Sequence, residues 1–217
     1  MINPFYYLYY CIRLRRSWPR RYADMLLCAF ESRCRTIVDI GTYTGLHARH
    51  LVQTGRIFHR ASSMRYFGFD LFETQTVETR SKEASPVAPS QAEVAAKLRK
   101  LGVPIRLYAG DTKETLPIAV PEIGKADLVL IDGGHSFDTI ESDWSNVRGL
   151  MHEKTVVVFD DYCPDEGFRP PGCGCQKLIE ELDRDVYNVR LLPHVDEFLQ
   201  EWGTLRTRMV RVSLKSK

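Results

Sequence analysis

Two short stretches carry most of the side chains that could do chemistry. Leu128-Val129-Leu130-Ile131 runs into Asp132-Gly133-Gly134-His135, and Val156-Val157-Val158-Phe159 runs into Asp160-Asp161-Tyr162. If the two apolar runs are neighbouring strands, about 4.8 Å apart, Asp132 converges with the Asp160–Asp161 pair. Three carboxylates that close repel one another unless a cation sits between them. An all-oxygen donor set favours a hard ion, Mg²⁺ first, with Mn²⁺ or Ca²⁺ as alternatives. Asp161 could instead cap the following loop and leave one acid facing the cleft. His135 follows Asp132 after two glycines that permit a tight turn. An isolated histidine is more often structural than catalytic, but an imidazole suits a general base for a hydroxyl made acidic by a metal.

A second group of residues has the chemistry of ligand recognition. Val38-Asp39-Ile40 is followed by Gly41-Thr42-Tyr43-Thr44-Gly45 and then by a helical pattern. Gly41 allows a sharp turn and close approach of a ligand to the backbone, and the helix start offers free N–H groups. The spacing is Gly-x-x-x-Gly rather than the Gly-x-Gly-x-x-Gly of dinucleotide sites. Asp39 ahead of it would repel a pyrophosphate and suits a cationic ligand better. Two further acids stand at apolar segment ends: Asp70, after Tyr66-Phe-Gly-Phe69, and Asp111, followed by Thr112. Either could simply cap the next helix; together with the glycine loop they point to an adenosine-type ligand.

These residues need strands and helices to bring them together. Thr36–Ile40, Tyr66–Asp70, Ile105–Ala109, Asp127–Asp132 and Thr155–Asp160 read as short strands covered on both faces, which implies a parallel sheet. A lead helix is expected from Arg20 to about Arg33. Further helices are expected after Gly45, from about Gln91 to Leu101 behind the capping box Ser90-x-x-Glu93, from Phe137 to Met151, and from Cys175 to Leu182. Val186–Leu192 and Arg206–Ser213 look like an antiparallel strand pair. The expected fold class is therefore α/β, a Rossmann-like open sheet, mostly parallel with a C-terminal antiparallel pair, helices on both faces, in a single domain. Ligands bind such sheets beyond the carboxyl ends of the strands. Residues 74–90 form a polar connection that suits a mobile lid.

Composition bounds the rest. A chain of 217 residues, 44% hydrophobic and 27% charged, is long enough for one sizeable core. No apolar run approaches the length of a membrane span. Six cysteines are too few for a secreted disulfide framework, so a cytoplasmic setting is expected. Residues 1–60 hold ten arginines, no lysine and three acids, a net charge of +7 within an overall +2. A solvated lead helix explains that charge as well as an acidic partner would. Residues 1–19 form an aromatic and basic segment, with residues 20–217 as the main domain. Its charge follows the apolar stretch and it lacks a small-residue cleavage site, so it is not a secretory signal. Peripheral membrane contact through residues 2–21, or a homodimer, is compatible with it.

Taken together, the motifs resemble class I S-adenosylmethionine-dependent methyltransferases, and more narrowly the metal-dependent O-methyltransferases. Asp39-x-Gly41-x-Tyr43-x-Gly45 resembles the glycine motif of the catechol and caffeoyl-coenzyme A enzymes. Ile131-Asp-Gly-Gly-His-Ser-Phe-Asp138, Asp143-Trp144 and Phe159-Asp-Asp-Tyr162 are closer to the macrocin O-methyltransferase-like sugar enzymes. The resemblance implies S-adenosylmethionine as cofactor, with Gly41 and Tyr43, in the loop with Thr42 and Gly45, at its methionine end. Asp39 would neutralise the amino group, directly or through water. Asp70 would hold the ribose, and Asp111 with Thr112 would meet the adenine. Asp132, Asp160 and Asp161 would bind Mg²⁺, and His135 would be the base. In the catechol enzymes a lysine stands where His135 is and an asparagine where Asp161 is, so a small-molecule or saccharide hydroxyl fits better than a catechol, with no nucleic acid involved. Rival expectations are a non-catalytic scaffold on the same fold and, with less support from the loop, a nicotinamide-dependent oxidoreductase. Cys163, Cys173 and Cys175 have poor zinc spacing and are expected in the wall of the substrate pocket.

Overall fold

In the computed structural model, residues 2–83, 85–163, 172–200 and 203–215 are described. Seven strands form one sheet: β1 (Thr36–Ile40), β2 (Arg65–Asp70), β3 (Ile105–Ala109), β4 (Leu128–Ile131), β5 (Val156–Tyr162), β6 (Tyr187–Gln200) and β7 (Gly203–Leu214). Their order is β3-β2-β1-β4-β5-β7-β6. The first five pair in parallel, and β7 lies antiparallel between β5 and β6. The order reverses between β1 and β4, and the carboxyl-end crevice of an open α/β sheet forms at such a reversal.

Alternation along the central strands feeds two cores. Leu128, Leu130, Val156 and Val158 pack on one face with Met25, Leu51 and Leu98. Val129, Ile131, Val157 and Phe159 pack on the other with Leu116, Trp144 and Ile179. The period of two that places successive side chains on opposite faces is what puts helices on both sides. On the first face lie α2 (Arg21–Glu31), α3 (Leu46–Gly55) and α5 (Gln91–Arg99); on the second lie α6 (Thr112–Ile123), α7 (Phe137–Val147) and α8 (Gln176–Glu181). The expected fold class is the one observed.

The differences from expectation have local causes. Residues 4–16 form a helix, α1 (Pro4–Arg16), started by Pro4 and capped by Asn3, whose carboxamide oxygen accepts from the Phe5 N–H at 3.1 Å. Tyr10 is buried and stacks on Phe30 of α2 at 4.8 Å between ring centroids, so α1 is packed against the fold. Phe5, Leu8 and Ile12 face outward and are exposed. No described helix is long and apolar enough to cross a membrane. Helix α6 escapes sequence reading because Pro117 and Pro121 lie inside it. Its apolar stripe, Leu116, Ala119 and Ile123, is nevertheless buried, and this packing offsets the missing backbone bonds. The 74–90 connection contains a short helix, α4 (Val77–Lys82), with a Thr76/Thr79 capping box. Helix α7 ends at Val147, four residues early, in a 3-10 turn over Arg148–Leu150. Strands β6 and β7 run well beyond the expected segments because they pair with each other from Tyr187–Leu214 out to Gln200–Gly203.

Candidate active site

A cavity of about 400 Å³ opens at the carboxyl ends of β1 to β4, within the roughly 300–1,000 Å³ usual for ligand sites. Gly41, Thr42, Tyr43, Asp70, Asp111, Thr112, Asp132 and His135 line it together. The glycine loop is held by two N–H groups, of Gly41 and Thr42, that donate to the Phe69 carbonyl at 2.8 and 3.1 Å. Gly41 has φ +96°, and a Cβ there would stand 2.0 Å from the Asp132 carbonyl oxygen. Only glycine fits where the loops after β1 and β4 cross so closely.

The acids of this half are held by backbone donors. Asp70 accepts from the Tyr43 N–H at 2.7 Å and from the Phe72 N–H at 3.0 Å. Each oxygen keeps lone-pair capacity for a ligand hydroxyl. Asp111 is the N-cap of α6, accepting from the Lys113 N–H at 2.9 Å, and lines the cavity as well. Capping and lining coexist in the same side chain. Asp39 is placed differently: it is fully buried, lies outside the cavity lining, and accepts a hydrogen bond from the Tyr66 phenol. Its other oxygen, Oδ1, has no partner. Burial pushes its carboxyl up to about 7, against the opposing pull of the Tyr66 bond. The Thr42 hydroxyl lies 3.3 Å from both the Asp39 carbonyl and the Tyr66 phenol, so this trio props the glycine loop from below.

The other half is built from side chains remote in sequence. Asp160 and Asp161 sit where the β5–β7 register shifts, between Phe159 and Tyr162, and Asp161 has φ +59°. The two neighbouring carboxylates take different partners. Asp160 points at α2, where the Arg21 Nε donates to its two oxygens at 2.8 and 3.1 Å. Asp161 Oδ2 meets His135 Nδ1 in a short hydrogen bond. Burial disfavours a charged imidazole, yet the Asp161 bond and its charge outweigh it and raise His135 above the ordinary histidine range. The same contact holds Asp161 below its ordinary value despite burial. Asp132 lines the cavity with His47 Nδ1 at 3.7 Å, and burial plus the charges of Asp160 and Asp161 push it well up. Burial and the Arg21 charge lower His47 to about 4, so that ring is neutral.

The donor chemistry of Asp132, Asp160 and Asp161 suits a hard cation, and the charges of Asp160 and Asp161 act on Asp132. Their present arrangement does not fit one. Both Asp160 oxygens are engaged by a guanidinium and Asp161 Oδ2 by an imidazole. Among the described residues no three His, Cys, Asp or Glu side chains are grouped to hold a metal.

Sequence reading missed Tyr22 and His47 as cavity residues and Arg21 as the partner of Asp160 behind them, since an arginine opening a helix looks the same solvated or buried. It also missed Glu83, whose carboxylate accepts from the Ser136 N–H at 2.7 Å and from the Ser136 and Thr139 hydroxyls at 2.8 and 2.9 Å. Cys163, Cys173 and Cys175 are not in the cavity wall. Their segment lies behind the dyad: Gly174 N–H donates to the His135 carbonyl at 2.8 Å, and Cys175 N–H to the Asp161 carbonyl at 3.3 Å. Residues 164–171 of the expected substrate loop lie outside the described residues.

Residues 38–162, more than half of the chain, match a family model described as a methyltransferase domain. No curated protein matches. Among solved structures, the chain resembles the O-methyltransferase TomG of Streptomyces achromogenes, involved in tomaymycin synthesis and solved with S-adenosylmethionine. That likeness has a TM-score of 0.61 at 16% identity over 92% of this chain and 81% of TomG. It also resembles a Bacillus cereus O-methyltransferase solved with S-adenosylhomocysteine, with a TM-score of 0.60 at 16% identity over 92% and 82% of the two chains. An rRNA methylase of Streptococcus thermophilus gives 0.59 at 11% identity over 91% and 98%. At these identities the solved structures speak for the fold, and the family match speaks for the chain. The protein belongs to the methyltransferase-domain family and has the fold of the S-adenosylmethionine-dependent methyltransferases.

Proposed function

We propose that the protein is an S-adenosylmethionine-dependent O-methyltransferase acting on a hydroxyl of a small molecule, a saccharide included, with His135 as general base. The observation that carries this reading is one cavity lined both by the glycine loop with Asp70 and Asp111 and by His135, whose Nδ1 is held from behind the wall by Asp161. S-adenosylmethionine fits the first half: Gly41 leaves room for its methionine end, and Asp70 and Asp111 offer acceptors to ribose and adenine. Asp39 acts at one remove, by fixing the loop. In the second half Asp161 fixes Nδ1, so Nε2 is the ring nitrogen for a substrate hydroxyl. As the hydroxyl oxygen attacks the sulfonium methyl, the proton passes to Nε2, the carbon–sulfur bond breaks, and S-adenosylhomocysteine leaves. Holding oxygen, methyl and sulfur in line contributes up to roughly 7–11 kcal/mol of barrier lowering in favourable cases.

Calorimetric titration with S-adenosylmethionine tests the reading. Micromolar binding, unchanged by EDTA, is expected; absence of binding in either condition would leave a non-catalytic scaffold on this fold. Exposed Phe5, Leu8, Ile12 and Trp18 beside Arg15 and Arg16 make α1 our candidate for peripheral contact with an anionic membrane. Co-sedimentation with phosphatidylserine vesicles, lost in Phe5→Ser/Leu8→Ser, is the expected result; equal sedimentation of both would remove α1 from that role.

A further inference from the structure

We propose that Arg21 is the permanent cation of the acid cluster, standing where a divalent metal would otherwise bind and making the site metal-free by construction. The proposal rests on the methyl-transfer reading only for its catalytic meaning; the ion pair itself is independent of it. Arg21 is not a surface residue swung inward. Its side chain is 9% exposed and that of Asp160 1%. Its own backbone N–H donates to Asp196 Oδ2 on β6 at 2.8 Å, and Nη1 lies 3.4 Å from the same oxygen. Nη2 lies 3.4 Å from the Tyr22 hydroxyl, and the guanidinium carbon sits 4.7 Å from the Tyr22 ring centroid and 5.4 Å from that of Phe198. Arg20 N–H donates to the other Asp196 oxygen at 2.7 Å, so one carboxylate pins the start of α2 and the base of the arginine.

This placement has chemical consequences. Mg²⁺ needs carboxylate oxygens at about 2.0–2.1 Å, and reaching those of Asp160 would require Arg21 Nε to leave a buried site fitted around it. A guanidinium keeps its charge at every working pH and responds to no chelator. With Asp160 paired to Arg21 and Asp161 to His135, Asp132 is the member of the acid trio that lines the cavity. A substrate hydroxyl is then anchored by hydrogen bonding to Asp132 rather than by chelation, so a vicinal diol is not required and a single hydroxyl suffices. Arg21 acts as a positioning residue here, setting the charge and direction of the acids.

The test is metal binding to the full-length protein, measured by Mn²⁺ titration with paramagnetic resonance and with S-adenosylmethionine affinity recorded on the same sample. The wild type is expected to take up no Mn²⁺ at one per chain below millimolar concentration, and Arg21→Gln is expected to gain such a site, lost again in Arg21→Gln/Asp132→Asn. Wild-type uptake of one Mn²⁺ that Asp160→Asn abolishes would overturn the proposal. So would a folded Arg21→Gln variant that binds none. If Arg21→Gln does not fold, the wild-type titration decides alone. Loss of S-adenosylmethionine binding with no Mn²⁺ uptake would instead sink the methyltransferase reading and leave the ion pair standing.

Discussion

At the ends of β2 and β3, Asp70 and Asp111 are satisfied by backbone N–H groups from adjoining loops and helix starts. At the end of β5, Asp160 and Asp161 are held chiefly by charged side-chain partners, the guanidinium of Arg21 and the imidazole of His135, with the Asp161 N–H adding one backbone bond to Asp160 at 2.8 Å. Backbone donors are neutral and cannot be substituted away, so the first half can lose an acid and keep its shape. Side-chain donors carry charge, so the second half cannot lose one partner without stranding the other in a poorly solvated place. The first half is suited to holding a cofactor, and the second to handling a proton.

The sharpest way to separate the halves is His135→Ala. Turnover should fall by about 10²–10⁴-fold, the usual worth of a positioned base, while calorimetry shows S-adenosylmethionine affinity nearly unchanged. The pH profile adds a signature. A base works unprotonated, and His135 is raised above its ordinary value of 6.5, so kcat should rise with pH through a midpoint above that value. Asp161→Asn, lacking the carboxylate that raises it, should move this midpoint to lower pH. A profile indifferent to Asp161 would break the dyad.

The next effect falls on stability. Arg21→Ala leaves Asp160 buried and unpaired and should cost about 3–5 kcal/mol in denaturant unfolding, whereas Arg21→Met/Asp160→Leu should recover most of it. If the double variant were as unstable as the single one, packing rather than charge would account for Arg21. The smallest effect belongs to the first half. Asp70→Ala should weaken S-adenosylmethionine binding by roughly 1.5–3 kcal/mol, the range for hydrogen bonds to a charged group, with little change in melting temperature. A collapse of the fold instead would show that the acids at β2 and β5 are not different in kind.

The same contrast explains what could be read from the chain. The glycine loop, the five parallel strands and the acids at their ends were legible because each is a local pattern: an apolar run, then an acid, then a turn residue. Helix α6 was not, because Pro117 and Pro121 argue against a helix locally and only burial of Leu116, Ala119 and Ile123 argues for one. The partners of Asp160 were not legible either. Arg21 lies 139 positions away, and it is Asp196 on β6, later still in the chain, that fixes where α2 begins. That the acids needed a positive charge was readable; that the chain supplies its own was a tertiary fact.

Glu83 has a consequence in time rather than in space. It ties the segment that brings Gln75, Thr79 and Lys82 to the cavity wall, through three bonds to Ser136 and Thr139, to the start of the helix that follows His135. A ligand that exchanged past that segment would wait for those bonds to open, and opening motions of this kind run on microsecond to millisecond scales. On the methyl-transfer reading, transfer is expected while the segment is shut. The pace of the whole cycle is therefore expected to follow the departure of S-adenosylhomocysteine, so that a first rapid turnover precedes a slower steady rate.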